Sequence, residues 1–128
     1  MRALIDTHVF LWWVLDTPRL SLEGRRILED GENELLFSAA SAYELTIKAQ
    51  RGRLTLPEPP DSYVPSRLVA NGLTSMPIEL SHALRAGSLP PIHRDPFDRM
   101  LVAQAQIEGL PILTADPAIS RYDVETIW

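Results

Sequence analysis

Four acidic side chains set the chemistry open to this sequence: Asp6, Glu44, Asp98 and Asp116. They come from four separated segments. Asp6 follows the apolar run Ala3-Leu4-Ile5, and Asp116 comes just past Ile112-Leu113-Thr114; both runs read as short buried strands. Glu44 and Asp98 fall in the first turn of predicted helices. In an open α/β sheet such helices begin near the carboxyl edge of the strands, and that edge is where ligands bind. Four carboxylates brought to one crevice would repel one another without a cation. An oxygen-only donor set suits hard divalent ions, chiefly Mg²⁺ or Mn²⁺. An ion so held can lower the pKa of a bound water and steady the charge of an in-line phosphoryl displacement.

The elements that must position these acids can be read from local signals. The stretch from His93 to Ala105 opens with Arg94-Asp95-Pro96-Phe97-Asp98-Arg99 and becomes apolar from Met100 onward. Asp95 suits a helix N-cap, Pro96 the first helical position, and Asp98 the third, near the positive end of the helix dipole. Asp95 could be a cap and nothing more. Ser41-Ala42-Tyr43-Glu44 has the spacing of a capping box, while Glu44, Lys48 and Arg51 share a helical face, where a solvated ion-paired stripe is the plain reading. Arg94, Arg99, Lys48 and Arg51 are candidates for a basic rim that offsets phosphate charge. His8, His82 and His93 match no metal spacing. His93 could touch a substrate phosphate or simply hydrogen-bond to nearby backbone.

Taken in order, the chain predicts a strand ending at Asp6 and a core helix over Val9–Leu15. A helix capped by Ser21 and ended by Gly31 in the left-handed conformation comes next. The strand Leu35–Ser38 precedes the helix of Glu44, which Gly52 closes. Arg53–Leu56 reads as a loop or a brief hairpin edge. Asp61–Asn71 is a helix candidate if Pro65 sits in its first turn. Leu73–Ile78 reads as a strand kept from the sheet centre by Pro77. A short helix spans Ser81–Ala86, Gly109 ends the helix of Asp98, and Val124–Trp128 reads as an edge strand. Neighbouring residues on a helix point about 100° apart. Of Trp12 and Trp13, then, one is expected inside and the other at an interface.

Strands alternating with helices predict an α/β fold with a mostly parallel sheet. At 128 residues, 45% of them apolar and 23% charged, the chain fits one domain over residues 1–128. It has no cysteine, which excludes disulfides and thiolate metal sites and suits a reducing cytoplasm. Asp6 interrupts any signal-peptide core, and no apolar run could cross a bilayer, so no membrane role is expected. Net charge is −5, from 12 basic and 17 acidic side chains, so a polyanionic substrate would need local arginines and bound cations.

Asp6-Thr7-His8, Ser41-Ala42-Tyr43-Glu44 through Lys48, the Arg94–Ala105 stretch, and Leu113-Thr114-Ala115-Asp116 together resemble a PIN domain. In order and spacing they are most similar to the VapC toxins of bacterial toxin–antitoxin pairs, over essentially the whole chain. The resemblance implies a three-layer α/β/α fold and a Mg²⁺- or Mn²⁺-dependent endoribonuclease, usually dimeric and held inactive by an antitoxin whose C-terminal segment covers the site. It places the metal-binding and catalytic quartet on Asp6, Glu44, Asp98 and Asp116. Thr7 and Thr114 fall where hydroxyls could orient a water or an acidic ligand. Asp95, Arg94 and Arg99 are left as supporting or substrate-contacting residues. Two other readings remain open: a PIN-fold interaction module without catalysis, and a nuclease acting on DNA.

Overall fold

The computed structural model describes residues 1–128. Five strands form one sheet: β1 (Arg2–Ile5), β2 (Glu34–Ser38), β3 (Thr74–Met76), β4 (Ile112–Leu113) and β5 (Thr126–Ile127). Their order is β3-β2-β1-β4-β5, and every neighbouring pair is parallel. The helices are α1 (Thr7–Val14), α2 (Leu22–Glu29), α3 (Ala39–Gln50), α4 (Pro60–Ala70), α5 (Leu80–Ser88) and α6 (Pro96–Glu108). A 3-10 turn spans Ile119–Arg121. No helix is long and apolar enough to cross a membrane.

Alternation along the strands divides the core into two. Ala3, Ile5, Leu35, Phe37 and Leu113 pack with Phe10, Ile27, Leu45 and Val64 on one face. Leu4, Leu36 and Ile112 point the other way, onto Ala86, Leu101, Val102 and Ala105. A side-chain period of two in buried strands demands a layer on each face, which gives the three-layer α/β/α arrangement. The chain builds β1, β2 and β3 outward on one side, then crosses back to place β4 and β5 on the other. The order reverses between β1 and β4, so a crevice opens at their carboxyl ends. Asp6 and Thr114 immediately follow those two strands.

Several local expectations are corrected by tertiary contacts. Helix α3 begins at Ala39, capped by Ser38, so Ser41-Ala42-Tyr43-Glu44 is not its capping box and Glu44 stands in the second turn. The Ser38 hydroxyl donates to Gln104 Oε1 (2.6 Å) while accepting the Ala40 N–H (3.0 Å), a pair of bonds that fixes the start of the helix. Gly31 has no positive φ. Helix α2 ends at Asp30, whose side chain accepts the Glu32 N–H, and Asn33 Nδ2 donates to the Ile27 carbonyl. Pro65 lies inside α4 rather than in its first turn, on an exposed face where the carbonyl it cannot bond meets water. Of the two readings of Arg53–Leu56 the loop holds and the hairpin edge does not. Trp12 and Trp13 are both half-buried against the first core, and Trp12 tilts onto Trp128 at 5.6 Å, so neither is wholly inside. Gly109 does end α6 in the left-handed conformation, at φ 66°.

Candidate metal centre

Asp6 leaves β1 in extended conformation and caps α1, its Oδ1 accepting the His8 N–H at 2.9 Å. Its Oδ2 accepts the Thr114 hydroxyl, and Thr114 in turn accepts the Asp116 N–H at 3.0 Å. His8 Nδ1 lies 3.4 Å from Asp6 Oδ1. Burial would raise the pKa of Asp6, but hydrogen bonds from the His8 and Thr114 side chains and the His8 N–H outweigh it and hold the carboxyl below its usual value. The same contact with Asp6 raises the pKa of His8.

Asp98 is the third residue of α6, where Pro96 opens the helix and Asp95 caps it, accepting the N–H groups of Phe97 (2.8 Å) and Asp98 (3.3 Å). It is only 4% exposed. Burial first, then the negative charges of Asp6, Asp95 and Glu44, push its pKa up to about 7, and His93 pulls the other way. Glu44, 1% exposed, gives Oε2 to Lys48 Nζ at 2.7 Å. Glu44 Oε1 and Asp98 Oδ1 are buried without any hydrogen-bond partner. Asp116, on the loop after β4, turns Oδ1 to the Ala118 N–H (2.8 Å).

His93 is the residue that sequence reasoning underrated. Its Nδ1 does accept a backbone N–H, that of Asp95 at 3.2 Å, as the plainer reading held. Its Nε2, however, stands 3.0 Å from Asp98 Oδ2 and 2.9 Å from Asp116 Oδ2. Asp116 is 23 residues further on, and only the fold brings it there.

The remaining named residues divide. Thr7 donates to Ser41 Oγ at 2.7 Å and ties α1 to α3 rather than reaching an acid. Arg99 is turned away from the crevice, which corrects its place in the basic rim. Its guanidinium donates to the carbonyls of Ala86, Leu89, Pro90 and His93 and so clasps the loop before α6. Arg94 is exposed and lines a cleft of about 310 Å³ between α3 and the start of α6, together with Glu44, Lys48, Arg51, Arg53, Asp95 and Phe97. Tyr43 stands edge-on to Phe97 at 5.7 Å beside it.

The donor set fits a hard divalent cation. A buried carboxylate oxygen with no donor costs folding energy unless a cation meets it, and Glu44 and Asp98 each present one. Asp6 stays ionised beside them. A cation here would draw on Asp6, Glu44, Asp98 and Asp116; ligand atoms of His93, Asp98 and Asp116 lie within 4.8 Å of one another, and Asp6 and Glu44 stand close enough to Asp98 for their charges to raise its pKa.

Comparisons with known proteins bear on the family and the fold. The model of the PIN domain family matches residues 3–125. The chain is 32% identical over 115 residues to Ribonuclease VapC22 of Mycobacterium tuberculosis, covering 89% of this chain and 86% of that protein. It is 41% identical over 69 residues to Ribonuclease VapC16 of the same organism, a match to 51% of this chain and about half (49%) of that protein. Among solved structures, VapBC2 from Rickettsia felis, bound to a DNA fragment from its promoter, superposes with a TM-score of 0.72 at 14% identity, covering 99% of this chain and 98% of that one. A toxin–antitoxin complex from Klebsiella pneumoniae gives 0.65 at 18% identity, over 98% and 96%. At such identities the superpositions speak for the fold. The family match and the VapC22 alignment, which runs nearly end to end, say more: this chain belongs to the PIN domain family and is VapC-like within it.

Proposed function

We propose that the chain is a Mg²⁺- or Mn²⁺-dependent endoribonuclease that acts as the toxin of a toxin–antitoxin pair. The observation that carries this reading is the pair of partnerless carboxylate oxygens, Glu44 Oε1 and Asp98 Oδ1, buried in the same acidic crevice as Asp6. A divalent ion held there supplies a lowered pKa for an attacking water and offsets charge on the phosphate. The protein's own part is to hold the donors still. Thr114 fixes Asp6, Lys48 fixes Glu44, and the Asp95 cap sets Asp98 on α6.

RNA is supported as the substrate by the relatives' names as ribonucleases and by the cleft beside the acids. Of the four cations lining it, Lys48 is paired to Glu44, whereas Arg51, Arg53 and Arg94 have no carboxylate partner. Guanidinium groups bind phosphate oxygens through paired N–H donors, and exposed Tyr43 beside Phe97 offers a face for an unpaired base. An antitoxin partner is supported by the fold's likeness to proteins solved as toxin–antitoxin complexes. A homodimer is implied by the same family, and α5 leaves an apolar stripe, Leu80 and Leu84, uncovered for such contacts. A site in the cytoplasm follows from the same reading.

The test is cleavage of a mixed RNA pool by the antitoxin-free protein with Mn²⁺, with Mg²⁺ and with EDTA, alongside Asp98→Asn. Cleavage that needs metal and Asp98 upholds the proposal. Intact RNA under all conditions, with a control nuclease active, overturns it in favour of a binding role. Cleavage of DNA in preference to RNA would move the substrate.

A further inference from the structure

We propose that the aromatic pair Tyr43–Phe97 is a subsite for one unpaired nucleotide beside the scissile phosphate. Tyr43 stacks on its base and so fixes which phosphate meets the acids. The inference deepens the reading of RNA as the ligand and rests on it. Its starting point is a juxtaposition. On α3 and on α6 an aromatic residue stands directly before the buried acid, Tyr43 before Glu44 and Phe97 before Asp98, and the two aromatic rings meet.

Successive residues of a helix point about 100° apart. Glu44 and Asp98 take the inward directions, which leaves their aromatic neighbours at the rim of the crevice. Phe97 is half-buried there, while Tyr43 is 64% exposed. Phe10, Phe37, Tyr63 and Tyr122 are all buried, so this exposure belongs to the position and not to the residue type. The two rings stand 5.7 Å apart at 81°, an edge-to-face contact that holds the Tyr43 ring in place. Such a contact occupies at most one face of Tyr43 and leaves the other to solvent.

A flat apolar face, fixed in direction and open to water, suits a flat ligand, and an unpaired base is one. A base inside a duplex keeps its faces in the stack and could not reach Tyr43. The cleft that Phe97 lines supplies what a nucleotide adds to its base. Arg51, Arg53 and Arg94 line the same space, all exposed, and guanidinium groups take phosphate oxygens through paired N–H donors. Phosphate contacts alone let a strand slide, because each phosphate is like the next. Tyr43 adds the missing constraint. It is joined to Glu44 in one helix, so a base seated on its ring is held at a set distance from the acids. Stacking accepts any base, so the subsite selects for an unpaired nucleotide more than for a particular one.

The experiment is fluorescence anisotropy of the intact chain in EDTA with two labelled probes. One is decaadenylate. The other is an oligomer of the same length built from abasic tetrahydrofuran residues, which keeps the phosphates and lacks every base. The wild type is compared with Tyr43→Ala, Tyr43→Trp and Arg94→Ala, whose folding is checked by melting. Tyr43→Ala is expected to weaken decaadenylate binding by about 5- to 150-fold, the usual effect of losing one stacked base, and to leave the abasic probe unchanged. Tyr43→Trp should keep wild-type binding, and Arg94→Ala should weaken both probes by the same factor. Loss on both probes in Tyr43→Ala, or no binding of decaadenylate by the wild type, would overturn the inference. Loss on neither would overturn it too and assign the aromatic pair to a protein partner. Cleavage is scored separately. If the base-dependent loss stands while the wild type leaves RNA uncut with metal, the nuclease reading falls and the subsite remains. If the wild type cuts RNA and that loss is absent, only the subsite falls.

Discussion

Asp6 and Asp98 are both buried at the carboxyl edge of the same sheet, yet their pKa values move in opposite directions. Asp6 is held below its usual value and Asp98 is pushed up to about 7. The difference lies in their donors. Asp6 receives a backbone N–H and the Thr114 hydroxyl, with His8 beside it. Asp98 has only the charge contact of His93, 3.0 Å from one oxygen, and no hydrogen-bond donor at the other, with three further acids nearby. One half of the site is finished by the protein, and the other awaits a positive charge. Burial with an unmet acceptor marks a place for a cation more sharply than burial alone.

The sharpest break of this contrast is to neutralise each acid in turn. Losing a residue that only supports a metal ligand typically costs 10- to 100-fold in activity or affinity, so Asp98→Asn should lower RNA cleavage at least about 100-fold. The same change should raise the melting temperature in EDTA at pH 8, because it removes a repelled buried charge. Asp6→Ala should also abolish cleavage but lower the melting temperature, since it loses an N-cap worth about 1 kcal/mol and orphans the Thr114 hydroxyl. Melts of the two variants that shift in the same direction would show that the two halves are not opposed.

The opposition also has a pH signature in metal-free protein. Between the ordinary aspartate value of 3.8 and about 7, folded Asp98 keeps a proton that the unfolded chain has lost. The native state then binds more protons, so stability falls as pH rises through that window, by an amount on the order of a few kcal/mol. Asp6 acts with the opposite sign: its contribution is present above 3.8 and is lost as pH drops through its lowered folded value. Denaturant midpoints in EDTA should therefore decline from pH 4 toward pH 7, and Mn²⁺ or Asp98→Asn should flatten the decline. A wild-type profile without this slope would remove the repulsion assigned to Asp98.

A smaller effect tests the finished half. Thr114→Val keeps the shape of the side chain but withdraws the hydroxyl from Asp6. Cleavage is expected to fall about 10- to 100-fold with the fold intact, and Thr114→Ser should restore most of it. Full activity in the valine variant would mean that Asp6 does not depend on Thr114.

How far the sequence revealed these features depends on how local their causes are. The N-cap Asp95, the proline at the first helical position and the left-handed Gly109 determine α6 with short-range chemistry, and they were legible. So was the placement of Asp6 and Asp116 after short apolar runs. The start of α3 was not, because Ser38 and Ser41 are both capable caps and the choice is made by Gln104, 66 residues away. Glu44 therefore sits a turn deeper than its spacing indicates. His93 and Arg99 were read by charge and proximity, but their partners are Asp116 and the carbonyls of a loop. The sequence displays a side chain's chemistry, while what satisfies it is set by the fold.

The smallest expected effect lies outside the acids, in the cleft between α3 and α6. Arg94 is exposed there, with Arg51 and Arg53 across the same space, and the chain as a whole is acidic at −5. A guanidinium with no carboxylate partner contributes little to stability, so Arg94→Ala should leave the melt within about 0.5 kcal/mol of wild type. Each phosphate contact releases counterions, and losing one should reduce the slope of log affinity against log salt by about 0.7 for single-stranded RNA. Fluorescence anisotropy in EDTA isolates this from catalysis, because the acids then hold no metal. Weaker binding with a shallower salt slope would place RNA phosphate in the cleft. An unchanged slope would show that the strand runs elsewhere and that the arginines serve another acidic partner.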